Sequence, residues 1–160
     1  MAWEYLENLD NRYIIAADVI GELSGDVVLD VNSGNSRLGY YIKGDFKYYC
    51  NDLMDDRAQR KMSDWQFVRS YSACDVLCCF GIGGYEISGE ELESATVTDS
   101  LKYAIGAYNP QWVVLECVEK FSEIQSGIMY GREQYDYVHS KNYNYGASWT
   151  LERVLNIWKR

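Results

Sequence analysis

The 160-residue sequence predicts a three-layer α/β protein built on a seven-stranded, mostly parallel sheet that ends in an antiparallel hairpin. Three observations carry this expectation. Apolar runs at 27–29, 76–80 and 112–115 have the character of strands buried on both faces. Stretches whose apolar residues recur every three to four positions lie between those runs and read as helices. After the last of these stretches two strand-like segments follow one another with no helix between, which makes them antiparallel neighbours.

Over 3–23, Tyr13, Ala17, Ile20 and Leu23, preceded by Leu6 and Leu9, recur at helical spacing. Asp10 or Asn11 can cap a second helix beginning near Arg12, and Ser24-Gly25-Asp26 ends the region. Val27 to Val31 is the first strand. It breaks into Asn32-Ser33-Gly34-Asn35-Ser36, small residues suited to a tight turn. Leu38, Tyr41 and Ile42 then give a short helical face, Lys43-Gly44-Asp45 closes it, and Phe46 to Cys50 forms a second strand that delivers Asn51 and Asp52. In such a β-α-β unit the turn can offer backbone N–H groups to a ligand, and an acid ending the next strand can take a ribose diol.

The middle of the chain is brief. Residues 53–60 make two helical turns, and 61–73 must supply a third strand and a crossing. Two registers fit. In the favoured one the strand ends near Met62, Ser63-Asp64 lies at its carboxyl end and 65–70 is a helix; in the other, 65–68 is the strand, which puts Arg69 and Ser70 at its end. Residues 73–80 form the next strand, running into the glycine-rich loop Gly81-Ile82-Gly83-Gly84-Tyr85-Glu86. A helix over 90–108, capped by Thr96 or Thr98, closes at Asn109-Pro110, and 112–115 is a buried strand with Glu116 at its end. A helix over 118–129 stops at Gly131. The final strands, 135–139 and 150–158, are joined by a polar aromatic loop over 140–146 that holds Asn142, Tyr143, Asn144 and Tyr145.

The segment Leu29-Asp30-Val31-Asn32-Ser33-Gly34-Asn35-Ser36-Arg37-Leu38 resembles motif I of the class I S-adenosylmethionine (SAM) dependent methyltransferases, an acid followed by alternate glycines. Gly34 keeps its glycine; Asn32 and Ser36 stand where glycines are usual, and both are mild replacements because Asn tolerates a left-handed backbone and Ser is small. The strand 75–80 with its glycine loop looks like motif IV of the same family. The resemblance implies a methyltransferase-like Rossmann fold, SAM as cofactor, and methyl transfer to an unidentified acceptor. It also implies roles for particular residues. Asp30, Asn32, Ser33 and Gly34 would contact the cofactor, Asp52 would hold the ribose hydroxyls, Asp64 the adenine amino group, and Phe80 and Gly81 would line the adenosyl pocket. Arg12 would pair with the methionine carboxylate, and Glu86 is the candidate catalytic base. Asp52 and Asp64 are also plausible helix N-caps. A catalytically silent binding or accessory protein of the same fold is the rival reading, supported by the altered glycines. A nicotinamide-binding Rossmann domain fits less well because its glycine fingerprint is missing.

With 48% hydrophobic and 24% charged residues, the sequence has the profile of one soluble domain over 1–160. Its formal net charge of −9 disfavours lone nucleic-acid binding, so a naked nucleic-acid acceptor would need a basic partner, whereas a small molecule or a protein would not. No apolar run approaches the roughly 20 residues that span a bilayer, and the acidic start is unlike a signal peptide, so a cytoplasmic location is expected. The cysteines, Cys50, Cys74, Cys78, Cys79 and Cys117, lie in or beside strand-like segments and read as reduced packing residues. A metal site from Cys74, Cys78, Cys79 and His139 is disfavoured, because Cys78 and Cys79 would point to opposite faces of a strand. The sequence leaves the oligomeric state open.

Overall fold

The computed structural model describes residues 11–21, 25–31, 38–42, 46–51, 63–82, 91–118, 122–143 and 153–160. In chain order these form α1 (Asn11–Gly21), β1 (Val27–Val31), α2 (Leu38–Tyr41), β2 (Lys47–Asn51), α3 (Asp64–Arg69), β3 (Val76–Ile82), α4 (Glu91–Tyr108), β4 (Trp112–Val118), α5 (Ser122–Met129), β5 (Asp136–Tyr143) and β6 (Arg153–Lys159). The sheet order is β2-β1-β3-β4-β6-β5. β1 pairs in parallel with β2 and β3, and β3 with β4; β6 is antiparallel to both β4 and β5. Six strands are present among the described residues in place of the seven expected. The segment to which the third strand was assigned, up to Met62, lies outside them.

Strand alternation sorts the core into two apolar layers. On one face Leu29, Val31, Leu77, Cys79, Val113, Leu115 and Cys117 pack with Phe67 and Val68 of α3, Leu101, Ala104 and Ile105 of α4, and Ile128 of α5. On the other, Val28, Val76, Cys78, Phe80, Val114, Leu155 and Ile157 pack with Tyr13, Ala16, Ala17 and Ile20 of α1 and Leu38 of α2. Cys78 and Cys79 therefore do face opposite ways. All five cysteines are buried, and none is in a disulfide.

Local chemistry explains the helix ends, and here several expectations change. Ser63, not Asp64, caps α3: its hydroxyl accepts the N–H of Gln66 at 3.2 Å, and the Gln66 side chain accepts the N–H of Ser63 at 3.2 Å. Asp64 is the first helical residue, so the N-cap role weighed for it is filled by its neighbour. Residues 65–68 are helix, which excludes the register in which they were a strand. Thr96 and Thr98 lie inside α4 and cap nothing, since the helix is continuous from Glu91. Asn109 takes the left-handed φ of 48° that ends α4, its N–H still bonded to the Ile105 carbonyl at 3.0 Å. β4 runs on through Val118, so α5 starts only at Ser122, and β5 absorbs 140–143, residues expected to be loop. Asn142 and Tyr143 are thus strand residues paired with Val154 and Arg153.

Candidate functional site

The carboxyl ends of the parallel strands define the site. The chain leaves β1 outward to β2 and returns across β1 to β3, so the connections diverge between β1 and β3, which is where an open α/β sheet has a crevice. In register, Val31 stands beside Asn51 on one side and Cys79 on the other. β3 continues past its last pairing with β1 through Phe80, Gly81 and Ile82, and its register with β4 shifts between Cys79 and Ile82. The expected juxtaposition of 27–31 with 75–80 is therefore observed, and the acid Asp75 lies at the opposite end, where its carboxylate accepts the N–H groups of Asp26 and Val27 at 2.8 and 2.9 Å.

Asp30 is one residue short of the end of β1 and is buried, with 1% exposure. Alternation turns it toward α1 and α2, between its register partners Cys50 and Cys78. The hydroxyl of Tyr48, on the same face of β2, donates to Asp30 Oδ2. Burial pushes the Tyr48 phenol well above its ordinary value, and the neighbouring Asp30 adds to the shift. Cys78 is raised for the same two reasons, burial first and Asp30 second. Both groups stay protonated at neutral pH. Asn51 and Glu116, each fully buried, lie on β2 and β4 toward the same end of the sheet.

The sequence-predicted residues divide into two groups. Asp30, Phe80 and Gly81 are brought to the carboxyl end of adjacent strands. Phe80 is buried there, its ring 5.9 Å from that of Tyr13 on α1. Asp64 is the first residue of α3, the helix that packs on the other face of the sheet. Asn32, Ser33, Gly34, Asp52 and Glu86 lie outside the described residues, as do Asn144 and Tyr145, and of Arg12 only the backbone, in α1, is described. Arg69, a site candidate only in the excluded register, is exposed and stacks over Trp65 and Tyr103, at 4.8 and 5.5 Å from their ring centroids. Among the described residues no three His, Cys, Asp or Glu side chains converge as a metal site would require.

Sequence reasoning missed Tyr48. The signal was present: Tyr48 precedes Cys50 by two, so it shares a sheet face with the residue that pairs with Asp30. Gly39 in α2 belongs to the same arrangement, because a Cβ there would stand 2.9 Å from Tyr48 Cε1.

No protein-family model matches the chain, and no curated protein matches it by sequence. Solved structures do match. The N-methyltransferase NodS from Bradyrhizobium japonicum WM9 superposes with a TM-score of 0.64 at 11% identity, covering 96% of this chain and 97% of that one. The 1,6-didemethyltoxoflavin-N1-methyltransferase of Burkholderia thailandensis, solved with bound 1,6-didemethyltoxoflavin and S-adenosylhomocysteine, gives 0.62 at 12% identity over 99% and 80% of the two chains. A SAM-dependent methyltransferase from Clostridium acetobutylicum ATCC 824 gives 0.60 at 11% over 92% and 89%. The chain has the fold of the SAM-dependent methyltransferases. In this fold the connections diverge between β1 and β3, and Asp30 is a buried acid of β1 near that divergence.

Proposed function

We propose that this chain is a SAM-dependent methyltransferase acting on a small molecule or a protein. The observation that carries the reading is the buried carboxylate of Asp30 at the carboxyl end of β1, immediately before the divergence of β2 and β3, in a sheet of this fold. SAM supplies an electrophilic methyl group on a sulfonium, so the protein's share of the work is to bind, align and, where the acceptor requires it, remove a proton. Asp30 and the residues Asn32, Ser33 and Gly34 that follow β1 in sequence would take the methionine end, where Arg12 would pair with the carboxylate. Asp52 would take the ribose hydroxyls, Phe80 and Gly81 the adenosyl group, and Asp64 the adenine edge. Glu86, beyond the end of β3 in sequence, is the proposed base. The acidic chain, with its formal net charge of −9, favours a small or basic acceptor over free nucleic acid.

Calorimetric titration with SAM and S-adenosylhomocysteine tests this directly. Binding is expected, and Asp52→Ala should weaken it by roughly 1.5–3 kcal/mol, the worth of hydrogen bonds to a charged group. A folded protein that binds neither compound sinks the proposal. The second reading, a silent relative, draws on Asn32 and Ser36 at the usual glycine positions. It predicts binding without turnover in a labelled-methyl screen over metabolites, peptides and RNA.

A further inference from the structure

We propose that Tyr48 is a positioning residue for the cationic end of the methyl donor and acts through Asp30, an inference that rests on the methyl-donor reading above. Tyr48 starts on β2, yet its hydroxyl reaches the carboxylate of a residue on β1. Its ring passes α2 at Gly39, where a side-chain carbon would come within 2.9 Å of Cε1 and 3.2 Å of Cδ1. The path of the ring therefore depends on a missing side chain in α2, and β2, α2 and β1 all contribute to the one hydrogen bond.

A donor fixed on one carboxylate oxygen fixes the plane of the group and hence the direction of the other oxygen. It also lowers the cost of keeping a charge in an apolar layer lined by Val28, Cys78 and Phe80. An oriented, buried carboxylate recognises a cation. SAM carries two, its α-ammonium and its sulfonium; S-adenosylhomocysteine keeps the ammonium, and 5′-methylthioadenosine has neither. Removing the phenol hydroxyl should therefore be felt by the charged ligands and not by the neutral one. A merely structural tyrosine would affect all three alike.

The experiment is titration of the wild-type chain and of Tyr48→Phe with these three compounds. Gly39→Ala is carried alongside, since it keeps the hydroxyl but displaces the ring, and it bears the test if Tyr48→Phe does not fold. Affinity for SAM and S-adenosylhomocysteine should fall about tenfold in either variant, the scale of one charge-assisted hydrogen bond, with methylthioadenosine changed less than about twofold. Equal weakening of all three ligands, or of none, overturns the inference while leaving the methyl-donor reading intact. A wild-type protein that binds none of them overturns that reading and this inference together.

Discussion

Gly25 lies so close to Asp75 that a Cβ on the glycine would stand 2.5 Å from the Cβ of the aspartate. The backbone at Gly25 has φ +138°, a conformation that side chains rarely tolerate. This contact lets the Asp75 carboxylate reach the N–H groups of Asp26 and Val27, while its own backbone bonds the Val27 carbonyl at 2.9 Å and accepts the Trp112 N–H at 3.0 Å. One residue thus ties together the amino ends of β1, β3 and β4.

Asp75→Ala should accordingly lower stability by about 2 kcal/mol, the scale of losing hydrogen bonds to a charged acceptor. In a chain of this size that is a fall in Tm of roughly 4–8 °C. Affinity for SAM should be untouched, because the residue is at the far end of the sheet from the crevice. Thermal melts with parallel titrations check both halves, and a loss of affinity at unchanged Tm would refute the structural role.

A second polar arrangement pins α5 to the sheet. The buried Gln125 donates from Nε2 to Cys117 Sγ at 2.7 Å and to the Val154 carbonyl at 3.3 Å, and its Oε1 accepts from Asn156 Nδ2 at 3.0 Å. Asn156 Oδ1 in turn accepts from the half-exposed Tyr137 hydroxyl at 2.6 Å. Gln125→Ala removes three hydrogen bonds made in a buried setting, so a loss of about 2–4 kcal/mol is expected. Tyr137→Phe should cost less than about 1 kcal/mol, since water can replace its hydroxyl. Urea unfolding of the two variants measures the difference; comparable losses would show that the network does not act from its buried end.

Two of the raised groups, Cys74 and Tyr135, give alkaline stability a testable shape. Burial pushes the Cys74 thiol from 9.0 up to about 12, and Tyr135 from 10.0 up to about 12. A folded value above the unfolded one means that the native state holds its proton longer, so the stabilisation is complete below the unfolded value and is lost as pH rises toward the folded one. Unfolding free energy should stay level with respect to these groups to near pH 9, and then decline toward pH 12. Cys74→Ala should flatten the decline from its onset, and Tyr135→Phe only the part above about pH 10. Denaturant titrations at intervals across this range give the curve, and an unchanged slope in Cys74→Ala would contradict the assignment.

Much of the fold was legible because apolar runs and helical spacing do not depend on distant partners. Val27 to Val31 emerges with the bounds read from its residues, and Trp112 begins its strand as expected. Element ends were harder, since they are set by contacts across the fold. The stop of β4 at Val118 rather than near Glu116, and the extension of β5 through Tyr143, come from pairing with β6, and the pairing partner is invisible to local patterning. The cap of α3 was misassigned by one residue because Asp and Ser are both good caps, and only the Gln66 side chain decides in favour of Ser63. At the candidate site, an acid followed by small residues drew the reading to Asp30, whereas its partner Tyr48 was hidden in a chain with fifteen tyrosines.

The position of β6 also bears on how the chain assembles. β6 follows β5 in the chain yet is inserted between β4 and β5, so among the described residues β5 joins the sheet through a strand that is synthesised after it. During translation β5 leaves the ribosome before it has a berth, with Tyr137 and Val138, both half-exposed even in the finished fold, among its residues. Until β6 arrives, β4 and β5 each offer an open edge to other chains, the kind of intermediate on which chaperones act. Pulse-labelled amides of β5 should gain protection together with those of β6 and not ahead of them, which makes completion of the sheet a single late event.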